Sequence, residues 1–151
     1  MIQRIQSIWL SMAFVAGILL FFLPLTGINS AGAEFILKYR GVYKITQTGF
    51  TLNSMQYSLA IMSLIVTVLS VVNIFLYKNR NLQMRICVLN IILVFSLIGL
   101  IVYASYFTFV QEEVSHTTGS ILPLTIIVFT FLARRSIKKD EDLVKSTYRL
   151  R

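Results

Sequence analysis

The chain has 151 residues, of which 56% are hydrophobic and only 13% charged, whereas a soluble domain carries about 25% charged residues. This balance excludes an ordinary soluble domain. The formal charge of +8 lies between long apolar runs rather than on a continuous basic face, so no nucleic-acid partner is expected. Cys87 is the single cysteine, so no disulfide can form within this chain, and it reads as a buried, inert thiol.

After MIQRIQS, the chain is apolar from Ile8 to Leu25 apart from Ser11, a run of 18 residues. That exceeds the 7 to 15 or so of a signal-peptide core, and the small residues Ala31, Gly32 and Ala33 lie well past its end. The segment is therefore expected to be a first spanning helix over residues 5–25, with Trp9 at one interface and Pro24 near the other. Ala13 and Gly17 form the small-xxx-small spacing of close helix packing.

Residues 26–56 form a loop outside the membrane. The stretch AEFILKYRGVYKITQTGFTLN is rich in β-branched and aromatic residues and carries Gly41 and Gly49. It predicts a small β-hairpin. A lone two-stranded hairpin is marginal in water, so it should lie on the helix ends, on the lipid surface or against a partner.

Two uncharged apolar segments follow, at 57–77 and 86–110. As helices they would be ~31 and ~37 Å long, enough for a hydrocarbon core of ~30 Å. Their linker, 78–85, contains Lys78, Arg80 and Arg85 without an acidic residue, which places it in the cytoplasm. Ala60, Ser63, Thr67 and Ser70 make a stripe of small residues on the second helix. Ser96, Gly99, Tyr103 and Tyr106 repeat the spacing on the third, and both stripes are expected to face the interior. Asn73 lies five residues before Lys78 and Asn90 five after Arg85, so both amides sit at the same depth, ~7.5 Å inside. They are expected to make an interhelical polar contact.

Residues 111–120 form a second outer loop, free of lysine and arginine. Within it Glu112, Glu113 and His116 spell EExxH. On a helix the i, i+3 spacing would aim Glu113 and His116 at one metal, but the further ligands such a site needs are missing. The fourth span, 117–133, begins in SHTTGS with Pro123 in an early turn. A basic tail, 134–151, carries Arg134, Arg135, Lys138, Lys139, Lys145, Arg149 and Arg151, interrupted by Asp140, Glu141 and Asp142. With no helix-stopping residue after Pro123, the helix should continue past Lys139. Ile137, Val144 and Tyr148 form a thin apolar stripe suited to headgroups or a docking partner.

With both termini in the cytoplasm, 11 of the 14 basic residues fall on that side and only Lys38, Arg40 and Lys44 fall outside. The opening MIQRIQS, the middle stretch FLYKNRNLQMRICVLN and the tail LARRSIKKDEDLVKSTYRLR together resemble a family of small four-span membrane proteins. That family, from one phylum of Gram-negative bacteria, is a domain of unknown function. Tyr148 stands where the family pattern leads us to expect an acidic residue. The resemblance covers the whole chain and implies a multi-pass protein of the bacterial inner membrane, with no activity attached.

The fold class expected is all-α: four transmembrane helices in an up-down bundle, with one small hairpin in the first outer loop. No phosphate-binding loop, catalytic triad or cysteine pair is visible, so neither an enzyme nor a cofactor is indicated. The leading functional reading is a membrane-embedded binding, assembly or scaffold component. Its partners would be the bilayer, with an anionic lipid or a protein bound through the tail, and self-association is possible. The alternative is a small transporter or channel subunit; a third is a membrane enzyme or metal site at Glu112, Glu113 and His116.

Overall fold

The computed structural model describes residues 3–30, 33–46, 49–77, 79–108 and 113–149. Four long helices carry the chain: α1 (Gln3–Phe22), α2 (Tyr57–Phe75), α3 (Arg80–Thr108) and α4 (Leu122–Arg149). All four are long and apolar enough to cross a membrane. Between α1 and α2 run strands β1 (Thr26–Ser30), β2 (Ala33–Lys38), β3 (Gly41–Thr46) and β4 (Gly49–Met55). Strand β5 (Glu113–His116) and a 3₁₀ turn, Thr118–Ile121, join α3 to α4.

Helix α3 begins earlier than the apolar run suggests, because no proline or glycine interrupts residues 80–85. Its ladder is extended backwards by the bond from the Gln83 N–H to the Asn79 carbonyl, 3.0 Å. Helix α4 runs through the basic segment as far as Arg149, with Pro123 in its first turn, where the missing N–H costs least.

Each helix turns one stripe inward, with buried residues spaced alternately by four and three. In α1 these are Gln6, Leu10, Ala13, Gly17 and Leu20; in α2, Leu59, Ser63, Val66, Ser70 and Asn73. In α3 they are Gln83, Cys87, Asn90, Val94, Leu97, Ile101 and Ala104; in α4, Ile126, Thr130, Ala133, Ile137 and Asp140. This period of 3.5 keeps each stripe against its neighbours over the length of the helix. Helix α1 packs against α2 and α4, and α3 packs against the same two.

The stripe expected to turn inward on α3 does not. Ser96 and Gly99 are exposed, and Tyr103 and Tyr106 are 57% and 56% exposed. The interior positions of α3 are filled by larger aliphatic residues, Val94, Leu97 and Ile101. On α2, by contrast, Ser63, Thr67 and Ser70 are buried. Their neighbour on α1 is Gly17, where an added Cβ would lie 2.8 Å from Thr67 Oγ1. Glycine there allows the two backbones to approach closely.

The segment between α1 and α2 is larger than one hairpin. Its four strands form an antiparallel meander, and β5 adds to β1, giving the order β4-β3-β2-β1-β5. The connection between α3 and α4 thus joins the sheet, through pairs such as Ile28 with Val114 and Thr26 with His116. The sheet is seated on the helix ends because Leu25, Leu37 and Val42 are buried in the same core as Leu20, Leu59 and Ile101. Ser105 on α3 donates to Thr26 Oγ1 at 3.3 Å, and Tyr39 meets Phe21 edge to face at 5.0 Å. On β2, Lys38 extends over the exposed Phe50 ring of β4, 4.6 Å from its centroid.

Candidate functional site: a buried polar cluster shared by four helices

At the end of the helices away from the sheet, the inward stripes change from aliphatic to polar. Gln6 of α1, Asn73 of α2, Gln83 and Asn90 of α3 and Asp140 of α4 are all buried. Hydrogen bonds connect them across helix boundaries. Gln6 Nε2 donates to Asp140 Oδ2, while Arg80 Nη1 donates to the Asp140 backbone carbonyl at 3.3 Å. Gln83 Nε2 donates to the Asn73 carbonyl at 3.1 Å, and Asn73 Nδ2 to Cys87 Sγ at 3.0 Å. Asn90 Nδ2 donates to Ser70 Oγ at 3.0 Å, and the Ser70 hydroxyl in turn donates to the Val66 carbonyl at 3.0 Å. The chain of bonds ties the α2–α3 turn to itself and both to the end of α4, beside the start of α1.

In the bonds made by Gln6, Asn73, Gln83 and Asn90 the side-chain amide acts as the donor. Among the described residues, Asn73 Oδ1, Gln83 Oε1, Asn90 Oδ1 and Asp140 Oδ1 are buried and accept no hydrogen bond. The cluster is therefore a set of acceptors, chemistry that suits a donor or a cation.

Asn73 and Asn90 do not bond to each other; each bonds across the α2–α3 hairpin to a different residue, Cys87 and Ser70. Arg134, Arg135, Lys138 and Lys139 are exposed on α4. Lys145 and Arg149 lie on the last turns of the same helix, while Arg151 lies outside the described residues. Ile137, expected on a surface stripe, is instead fully buried with Leu10, Cys87 and Ala133. Asp140, the first of the three acidic residues that interrupt the basic tail, is only 5% exposed.

The EExxH reading loses its premise. Glu112 lies outside the described residues, and Glu113 and His116 bound a β-strand rather than a helix. A spacing of three does not repeat on one face of a period-two strand. Among the described residues no cluster of three His, Cys, Asp or Glu is placed to hold a metal ion.

Sequence reasoning missed Gln6, Gln83 and Asp140. The signal was present in the four-three spacing. Counting from Ile126 through Thr130, Ala133 and Ile137 arrives at Asp140, and counting from Leu20 back through Gly17, Ala13 and Leu10 arrives at Gln6.

Among the described residues, grooves lie between the helices. One of about 580 Å³ separates α1 and α4 and is almost wholly apolar, with Met12, Val15, Leu19 and Phe129 in its walls. A second, about 400 Å³, lies between α3 and α4 near the sheet, beside Ser105 and Pro123. The third, about 670 Å³, opens at the polar end between α1, α2 and the start of α3, with Gln6 and Gln83 among its lining residues.

Four long apolar helices, joined at one end by buried amides and capped at the other by a small sheet, define a helical protein of membrane-spanning composition. The chain belongs to the family described as a domain of unknown function, DUF4293, which matches residues 2–150. Among curated proteins there is no match.

Proposed function

We propose that the protein is a multi-pass component of the bacterial inner membrane, a four-helix bundle with both termini in the cytoplasm, acting as a binding or assembly scaffold. The observation that carries the membrane reading is the inverted distribution of polarity. Large apolar side chains, including Ile8, Val15, Ile61, Leu64, Ile92, Phe95, Val128 and Phe131, are exposed along all four helices, while amides are buried between them. A soluble monomer rarely leaves such a continuous apolar surface in water, whereas a bilayer covers it and rewards polar contacts between helices. The orientation follows from the basic residues of the α2–α3 connection and of α4.

Scaffold is preferred to pore because the interior is closed with hydrocarbon. Ala13, Leu20, Val66, Val94, Leu97 and Ile126 are buried in one contiguous core, and a water path needs a polar or open lining. The surface offered to a partner is the exposed basic face of α4 formed by Arg134, Arg135, Lys138 and Lys139. Photo-crosslinking from position 138 in intact cells, followed by purification in mild detergent, should recover one stoichiometric protein partner. Selective solute flux through proteoliposomes of the purified chain, without such a partner, would replace the scaffold reading with a transporter.

A further inference from the structure

The groove of about 670 Å³ at the polar end has a composition that neither lipid tails nor helix packing accounts for. Its volume falls within the range of about 300 to 1,000 Å³ typical of small-molecule sites. Its walls include Ile8, Phe75 and the Tyr77 ring, all more than half exposed, so it opens sideways from the helices. Its inner side is polar. Gln83, 3% exposed, has its amide nitrogen committed to the Asn73 carbonyl, and its oxygen Oε1 is buried with no hydrogen-bond partner. Gln6, which also lines the groove, donates one amide N–H to Asp140. One hydrogen bond behind Gln6 stands the buried carboxylate of Asp140, and its oxygen Oδ1 accepts nothing from the described residues. Arg80 donates to the backbone carbonyl of that residue, and among the described residues no side chain donates to Oδ1. A buried carboxylate oxygen without a donor is costly, so the site suits a positively charged donor.

We propose that this groove binds the primary ammonium headgroup of a phospholipid. An ammonium carries three N–H donors and no acceptor, the complement of the unpartnered Gln83 oxygen with the Asp140 carboxylate behind Gln6. The groove lies where α2 ends, at Phe75, beside the basic α2–α3 connection, the depth at which headgroups meet acyl chains in the membrane orientation on which this inference rests. Ile8 and Phe75 then contact the first methylenes of the lipid. A choline headgroup has the same charge but no N–H to give, and a glycerol headgroup has hydroxyl donors but no positive charge.

The test is native mass spectrometry of the full chain in detergent with phosphatidylethanolamine, phosphatidylcholine and phosphatidylglycerol of matched acyl chains. Phosphatidylethanolamine should be retained roughly tenfold over phosphatidylcholine, the ratio set by one charge-assisted hydrogen bond. Gln83→Leu should abolish that preference, while Met12→Leu in the α1–α4 groove should leave it intact. If Gln83→Leu fails to fold, Ile8→Trp narrows the mouth from an exposed position and should lower retention of the ammonium lipid alone. Equal retention of the ethanolamine and choline lipids by the wild type, or a preference that survives both groove variants, overturns the site. Free ethanolamine held as tightly as the lipid would assign the site to a soluble amine and overturn the lipid. Release of the chain from native membranes by alkaline carbonate is a separate outcome that overturns the membrane reading itself.

Discussion

Gln6 and Asp140, 134 positions apart, meet in the interior, where the Gln6 amide donates to the Asp140 carboxylate. The contact joins the first turns of α1 to a part of α4 that composition alone would assign to a solvated tail. Removing one partner leaves the other buried and unpaired. Gln6→Leu should therefore destabilise the protein by about 1.5 to 3 kcal/mol, the range for a hydrogen bond to a charged group. Gln6→Leu combined with Asp140→Leu should return most of that loss, because replacing both partners with apolar groups can be nearly neutral. Reversible unfolding in mixed micelles measures both. A double variant as unstable as the sum of the singles would show that the pair is not coupled.

The bond from Asn90 to Ser70 joins α3 to α2 at 3.0 Å. Polar contacts between membrane helices average about 0.6 kcal/mol in double-mutant cycles and reach about 1.7. A cycle of Asn90→Leu and Ser70→Ala should give a coupling in that range. A value indistinguishable from zero would mean that the two side chains satisfy themselves on their own helices.

Gly17 has room for little more than hydrogen, since its added Cβ would lie 2.8 Å from Thr67 Oγ1 and 3.3 Å from Thr67 Cγ2. Gly17→Leu should cost about 1 to 3 kcal/mol by overpacking. Gly17→Ala should cost less, and Thr67→Ala should relieve it by removing the opposing atoms. Failure of Thr67→Ala to relieve Gly17→Ala would place the strain elsewhere.

The proposed orientation puts β4 on the periplasmic side of the inner membrane and α4 beyond its apolar span in the cytoplasm. On a Cys87→Ala background, Thr51→Cys should react with an impermeant maleimide added to intact cells, and Lys139→Cys only after the membrane is opened. Thr51 is exposed on β4 and Lys139 is exposed on α4, so access is limited by the membrane alone. The reverse labelling pattern would invert the topology.

The distal charges of α4 separate docking from anchoring. Near an anionic leaflet each basic residue contributes about 1 kcal/mol, so reversing Lys145 and Arg149 to Glu should weaken binding to anionic vesicles or to a crosslinked partner. The exposed Arg134, Arg135, Lys138 and Lys139 are retained, so orientation should not change. Unaltered binding after reversal would reduce this segment to an anchor.

Four apolar helices could be read from the chain because each is a local matter of length, hydropathy and the position of prolines: the run after Ile8 broken only by Ser11, the absence of charge over 57–77 and 86–110, and Pro123 in the first turn of an otherwise unbroken helix. β-propensity over 33–53 likewise announced extended structure, a property of neighbouring residues. What joins distant parts needed the tertiary structure. The meander and its addition to β5 depend on Thr26 meeting His116, a pairing between segments separated by two helices. The inward face of α3 was misread because Ser96, Gly99, Tyr103 and Tyr106 also fall at helical spacing. In lipid a small residue does not have to face the protein, since hydrocarbon surrounds both sides, so packing volume rather than hydrophobicity selects the buried stripe. Asp140 makes the point most directly. Its charge and its place among Lys138, Lys139, Glu141 and Asp142 suggest solvent, and only the alignment of α4 with α1, which brings Gln6 to its carboxylate, makes it an interior residue.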